Sequence, residues 1–183
     1  VLRDKFFFGL SRKYDWGKKL RWNLQKKLEG KAGSVDIVSR NNAMRPPTAP
    51  LLLLEYDSAK DTDLLQEFYI PTRNFVDFMD SFRQILTDEE VNAISFTIRF
   101  VTPNNESYLA HTPYEESFAI IVYFNEKLSK EGRKKIKLIT QRLVDSAIEN
   151  DGTFYLTYNL YPTSKQLRES YPNIDKVFEL KKK

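Results

Sequence analysis

The chain has 183 residues, 41% hydrophobic and 14% aromatic, which suffices for one well-packed core and falls short of two full domains. It contains no cysteine, which removes disulfide frameworks, thiolate metal sites and cysteine nucleophiles and fits a reducing, cytoplasmic setting. The net charge of +4 is uneven: residues 1–48 carry twelve Lys and Arg against four Asp and Glu, so the basic character belongs to the N-terminal part alone.

No apolar stretch approaches the roughly 18 residues of a membrane-spanning helix; the run Leu51–Leu54 is strand-sized. Val1-Leu2-Arg3 has neither an initiator Met nor a signal-peptide shape, and Lys181-Lys182-Lys183 stops abruptly, so the chain reads as a piece of a longer polypeptide.

In the N-terminal part, Trp16, Leu20, Leu24 and Leu28 recur every fourth residue, with Lys18, Lys19, Arg21, Lys26 and Lys27 on the other faces and Gly30 and Gly33 ending the pattern. This predicts a basic amphipathic helix. Its apolar stripe either docks on the parent protein or meets a membrane surface through residues 16–31, at the inner face of a membrane. A basic helix without a recognisable module does not point to nucleic acid. From Ser39 to Pro50 the chain is irregular, with Pro46, Pro47 and Pro50 favouring extended backbone. Residues 1–50 therefore form an arm and connector, and 51–183 one globular unit.

Within that unit, Leu64–Ile70 is strand-like, and Asn74–Leu86 is helical with Phe75, Phe78, Met79, Phe82, Ile85 and Leu86 on one face. Ala93–Val101 alternates, with Ile94, Phe96, Ile98 and Phe100 on one side, and Phe118–Phe124 is a second aromatic, β-branched strand. Ser129–Asn150 is a long helix closed by Asn150-Asp151-Gly152, and Thr153–Thr157 supplies the last strand. Tyr171-Pro172 separates two short C-terminal helices, with Asn173 available as a cap.

The order β-α-β-β-α-β predicts an α+β, ferredoxin-like fold: an antiparallel sheet with helices on one face. The other face presents Glu67, Tyr69, Ser95, Thr97, Arg99, Ala119, Ile121 and Tyr123. Glu67 and Arg99 there either pair across strands or meet a partner. His111 is the single histidine and lacks the companions of a triad or metal cluster, so it reads as a polar loop residue; Asp57, Asp61 and Asp63 read as a solvated acidic loop without EF-hand pattern.

Several segments carry more identity than composition does: Arg40-Asn41-Asn42-Ala43-Met44-Arg45-Pro46, Leu65-Gln66-Glu67-Phe68-Tyr69-Ile70-Pro71, Thr97-Ile98-Arg99, Gly152-Thr153-Phe154-Tyr155 and Tyr171-Pro172. In this order and spacing, over most of residues 15–183, they resemble the C-terminal cap domain of FAD-linked oxidases of the vanillyl-alcohol-oxidase superfamily, in the branch of aldonolactone and decaprenylphosphoryl-ribose oxidases. The resemblance implies an FAD-dependent oxidoreductase that removes hydride from a carbinol, alcohol or sugar-like, with the sheet closing over the isoalloxazine ring. FAD would be bound by the protein's own N-terminal domain, because this chain has no G-x-G-x-x-G or glycine-rich phosphate loop, and this part alone would be inactive.

The resemblance places the family's lysine position on Tyr158, in Tyr155-Leu156-Thr157-Tyr158. A phenol there donates a hydrogen bond or, with a depressed pKa, acts as a base, but cannot stabilise negative charge as an ammonium does; an aromatic at a strand end also simply packs. The resemblance assigns Tyr158 as catalytic and Glu67, Tyr69, Arg99, Tyr123 and Asn159 as substrate-binding, for a small-molecule or lipid-linked substrate, with no metal. Without its flavin domain, the open sheet face would leave an aromatic patch suited to a homodimer. The competing reading is a free-standing ferredoxin-like binding module for a membrane surface or protein partner, with no redox role.

Overall fold

The computed structural model describes residues 2–29, 37, 39–40 and 59–182, with the backbone alone at 2–5 and 28–29. The motif at 40–46 beyond Arg40, the run Leu51–Leu54 and the glycines at 30 and 33 lie outside the described residues. The chain divides into two compact units, Val1–Ser58 and Ala59–Lys183.

The first unit holds helices α1 (Leu2–Lys13) and α2 (Asp15–Glu29), packed on each other as a hairpin. The sequence periodicity foretells α2 only. The Phe6-Phe7-Phe8 run in α1 has no helical period of its own; Phe8 alone of the three is buried, under Arg21 of α2, while Phe6 is exposed. At the turn, the Tyr14 amide donates to the Leu10 carbonyl at 3.0 Å. A Cβ on Gly17 would stand 2.4 Å from that same carbonyl oxygen, so only glycine permits this approach.

The second unit runs β1 (Asp61–Pro71), a 3₁₀ turn (Thr72–Asn74), α3 (Phe75–Asp88), β2 (Ala93–Val101), β3 (Ser117–Lys127), α4 (Lys130–Glu149), β4 (Thr153–Phe154), α5 (Ser164–Ser170) and α6 (Ile174–Leu180). The four strands form one antiparallel sheet in the order β2-β3-β1-β4. The fold is therefore mixed helix and strand around an antiparallel sheet.

Alternation along β1 and β3 creates two faces. Phe68, Ile70, Ile120, Val122 and Phe124 point to the helices and are fully buried; Phe78, Phe82 and Ile85 of α3 and Ile136, Ile139, Leu143, Val144 and Ala147 of α4 meet them. The rings of Phe78 and Phe82 lie 5.9 and 6.2 Å from that of Phe68. Helix α4 starts at Ser129, whose side chain accepts from the Gly132 amide.

Several expectations are corrected. Strand β4 is two residues long rather than five, because after Phe154 the chain turns and its aromatic side chains pack on one another instead of extending the ladder. Phe96, Ile98 and Phe100 share the helix-side parity through their partners Val122, Ile120 and Phe118, yet remain 49%, 48% and 55% exposed, since β2 is an edge strand the helices cover poorly. A bulge between Ala93 and Ser95 resets its register. Asp61 and Asp63 belong to β1 rather than to a loop: Lys127 pairs with Asp61 at 3.3 Å, and Tyr123 and Asn125 donate to Asp63.

The end of α4 has the predicted signal with its parts exchanged. Asp151, not glycine, takes the left-handed conformation (φ 57°), its amide donating to Ile148 while that of Gly152 donates to Ala147 at 2.7 Å, a Schellman closure. Gly152 is required for space: an added Cβ would stand 2.4 Å from Ile70 Cδ1, 2.6 Å from the Tyr69 oxygen and 2.9 Å from the Ala147 oxygen. Tyr171, buried, donates to the Phe154 carbonyl and so ties the α5–α6 corner to β4. Asn173 stands at the N-cap of α6 without a side-chain capping bond.

Two stability outcomes follow, both read by urea unfolding. Phe68→Ala, which empties the centre of the core, should cost about 3–5 kcal/mol. Gly152→Ala, which presses a methyl group against two backbone oxygens, should cost about 1–3 kcal/mol through overpacking.

Candidate functional site

The sheet face opposite the helices is built in rungs. Arg99, Ala119, Tyr69 and Thr153 form one, and Thr97, Ile121 and Glu67 the next, with the Tyr155 amide donating to the Glu67 carbonyl at 2.9 Å. A third holds Ser95, Tyr123 and Leu65.

Glu67 is the centre of this face. The Tyr158 hydroxyl donates to its Oε2 across a long 3.5 Å. Tyr155 and Tyr158 meet edge-to-face at 5.2 Å, and Tyr69 meets Tyr155 at 6.4 Å. From the loop between β2 and β3, the His111 ring lies over Tyr69 at 4.1 Å and 31° and stands edge-on to Tyr155 at 6.1 Å. The Thr153 hydroxyl donates to the His111 carbonyl at 2.7 Å, pinning that loop to β4. The aromatic patch expected to be open is thus partly roofed, and Tyr69 is buried.

The electrostatics follow from a carboxylate among phenols of which Tyr69 is buried and Tyr155 and Tyr158 half-buried. Burial and then the Glu67 charge push the Tyr69 hydroxyl pKa far up. Burial, Glu67 and Tyr155 raise that of Tyr158, against a smaller opposing effect of Arg99. Both phenols therefore remain protonated near neutrality and face the carboxylate as donors, and the idea of Tyr158 as a base of depressed pKa does not hold. His111 is lowered by burial, with Glu67 opposing, and is neutral at pH 7.

The structure gathers Glu67, Tyr69 and Tyr158, with Arg99 across strand β3 from the cluster, its charge felt at the Tyr158 hydroxyl. Glu67 lies opposite Ile121 and Arg99 opposite Ala119, so the two are not direct cross-strand partners. Tyr123 shares the face but commits its hydroxyl to Asp63 at 3.0 Å. Asn159 is exposed beyond the cluster, its carbonyl accepting from the Tyr161 amide. Sequence reasoning missed His111 and Tyr155. Tyr155 was within reach, being two residues from Thr153 and so on the same face; nothing local signals that His111 will stack on Tyr69.

Beside the cluster a cleft of about 330 Å³ opens between the β2–β3 loop, the α4–β4 turn and the Tyr171–Asn173 corner. Tyr69 and His111 form a wall shared by cleft and cluster; Tyr108, Glu115, Asp151 and Glu169 line other sides. Arg73 pairs with Glu115 and with Asp151 (2.7 Å) at its rim, which raises its guanidinium pKa further. Among the described residues no group of three or more His, Asp or Glu could hold a metal ion.

Because His111 is the single histidine, its ring protons can be followed by NMR without assignment. Its midpoint should lie below about 6.5, and Glu67→Gln should lower it further, since the carboxylate favours the imidazolium. The folded state then binds fewer protons than the unfolded one just below pH 6.5, so this group's contribution to stability declines as pH falls through that value toward the folded pKa. A midpoint at or above 6.5 would place His111 outside the cluster.

Compared with known proteins, the chain matches no family model and no curated sequence.

Proposed function

We propose that the unit from residue 59 onward is a ferredoxin-like cap that closes over a flavin held by a separate FAD-binding domain and orients a carbinol substrate for oxidation. The connection order β-α-β-β-α-β, with α3 and α4 packed on one sheet face and the strands in the order β2-β3-β1-β4, supports the fold name. The observation that carries the functional reading is Glu67: a half-buried carboxylate on the other face, facing protonated phenols, beside a cleft large enough for a small molecule.

The residues fit one part of the cofactor. Phenol hydroxyls, a carboxylate and Arg99 suit the edge of a planar, hydrogen-bonding ring, whereas no glycine-rich loop is present to cradle a pyrophosphate, so the nucleotide portion belongs to the other domain. When bound, the flavin supplies the hydride acceptor.

The chain's own groups supply the rest. Glu67 accepts the hydrogen bond of the carbinol hydroxyl and is the group able to take its proton, since the neighbouring phenols are held protonated. Tyr158 donates toward Glu67 and fixes its carboxylate; Tyr69 and His111 form the wall that excludes water and separates the reacting end from the cleft.

Rapid-mixing measurement of flavin reduction in the flavoenzyme containing this chain tests the assignment. Glu67→Gln should slow reduction by about 10²–10⁴-fold, as expected for loss of a positioned base. Tyr158→Phe should cost only about five- to tenfold, the loss of one long hydrogen bond worth about 1 kcal/mol. Wild-type reduction rates in Glu67→Gln would remove the sheet face from the chemistry.

A further inference from the structure

The two-helix hairpin has an outer side that the proposed oxidase role does not use. Its inner side is closed: Phe8 and Ser11 are buried, Gly17 is backed against Leu10, and the Arg21 guanidinium lies 4.7 Å over the Phe8 ring. Helical geometry then sends Trp22, Lys26, Lys19, Asn23 and Trp16 to the other side of α2, with Lys27 and Leu20 on its flank. Trp16 is 56% exposed and Trp22 59%; Tyr14 stacks on Trp16 at 5.6 Å, and the Lys26 ammonium lies 5.7 Å over Trp22. This differs from the simple Trp16–Leu28 stripe of the sequence, since Leu24 turns toward the half-buried side and Trp22 joins the exposed one.

Interleaving decides what such a side can meet. A helix that docks on a protein core segregates its charges from its aromatics. Here Lys19, Lys26 and Lys27 alternate with Trp16 and Trp22, so a protein covering the indoles would also bury three ammonium groups. At a lipid headgroup layer both demands are met at once: indole rings sit at the interface, lysine stems lie along the apolar surface, and their heads reach phosphate. The acids of residues 2–29 are Asp4, Asp15 and Glu29 against nine Lys and Arg, and Asp15 is paired with Lys18 at 3.0 Å.

We propose that α2 lies on the surface of an anionic bilayer, with Trp16 and Trp22 inserted among the headgroups and Lys19, Lys26 and Lys27 on their phosphates. Nucleic acid offers the same phosphate chemistry but no apolar phase for the two indoles.

Trp16 and Trp22 are the chain's two tryptophans, so its intrinsic indole fluorescence reports on this hairpin alone. With the full 183-residue chain, vesicles of equal parts phosphatidylglycerol and phosphatidylcholine should shift emission to the blue, and brominated lipid should quench it. Pure phosphatidylcholine should leave it unchanged, and added salt should reverse the shift. Lys19→Gln/Lys26→Gln/Lys27→Gln, checked for retained helix by circular dichroism, should weaken co-sedimentation with the anionic vesicles by more than about tenfold. An unchanged spectrum, an equal response to neutral vesicles, or tighter binding to single-stranded RNA than to anionic vesicles at the same salt would overturn the proposal.

Discussion

The alternation of β1 is the constraint from which the rest of the second unit follows. Phe68 and Ile70 must face α3 and α4, and at a period of two residues this sends Glu67 and Tyr69 to the other side. Eleven residue pairs with β3 hold that register. A slip of one residue would place the Glu67 carboxylate beneath α4 and Phe68 in solvent, losing the aromatic core and burying an unpaired charge together. The hydrophobic core and the candidate site are thus opposite sides of one decision.

The chemistry of the open face is a consequence of its partial roof. An exposed sheet would screen Glu67 with water and leave neighbouring phenols close to their ordinary behaviour. The β2–β3 loop changes this, because His111 lies on Tyr69 and is held there by the Thr153 hydroxyl. The same loop is fastened again where it enters β3: the Thr72 amide donates to the Glu116 carbonyl at 3.1 Å and Arg73 reaches Glu115. A loop secured at its middle and at its β3 end can desolvate two tyrosines without a covering helix.

Periodicity made most of the second unit legible in advance. The apolar rows of β1, β3, α3 and α4 are strong, and each element appears at or near its predicted place. What could not be read depends on neighbours. Phe96, Ile98 and Phe100 alternate as a buried strand would, and only the sheet order reveals an edge. Tyr155-Leu156-Thr157 has strand-forming residues, but stacking of Tyr155 on Tyr158 outweighs a longer ladder on a strand with one neighbour. In the site, Glu67 and Tyr69 were visible through parity; His111 was not, because ring stacking between a loop and a strand leaves no local pattern.

The α4–β4 turn joins the core to the site mechanically. Gly152 lets the turn press against the Tyr69 carbonyl and the Ile70 side chain, and the next residue, Thr153, pairs with Tyr69 and holds His111. Asp151, in the same turn, accepts from Arg73 and from Asn74 at 3.1 Å, fixing the end of β1 against the end of α4. Three consecutive residues therefore set the spacing between the helical layer, the central strand and the wall of the cleft. Tyr69 and His111 are therefore the contact between the cleft and the cluster around Glu67.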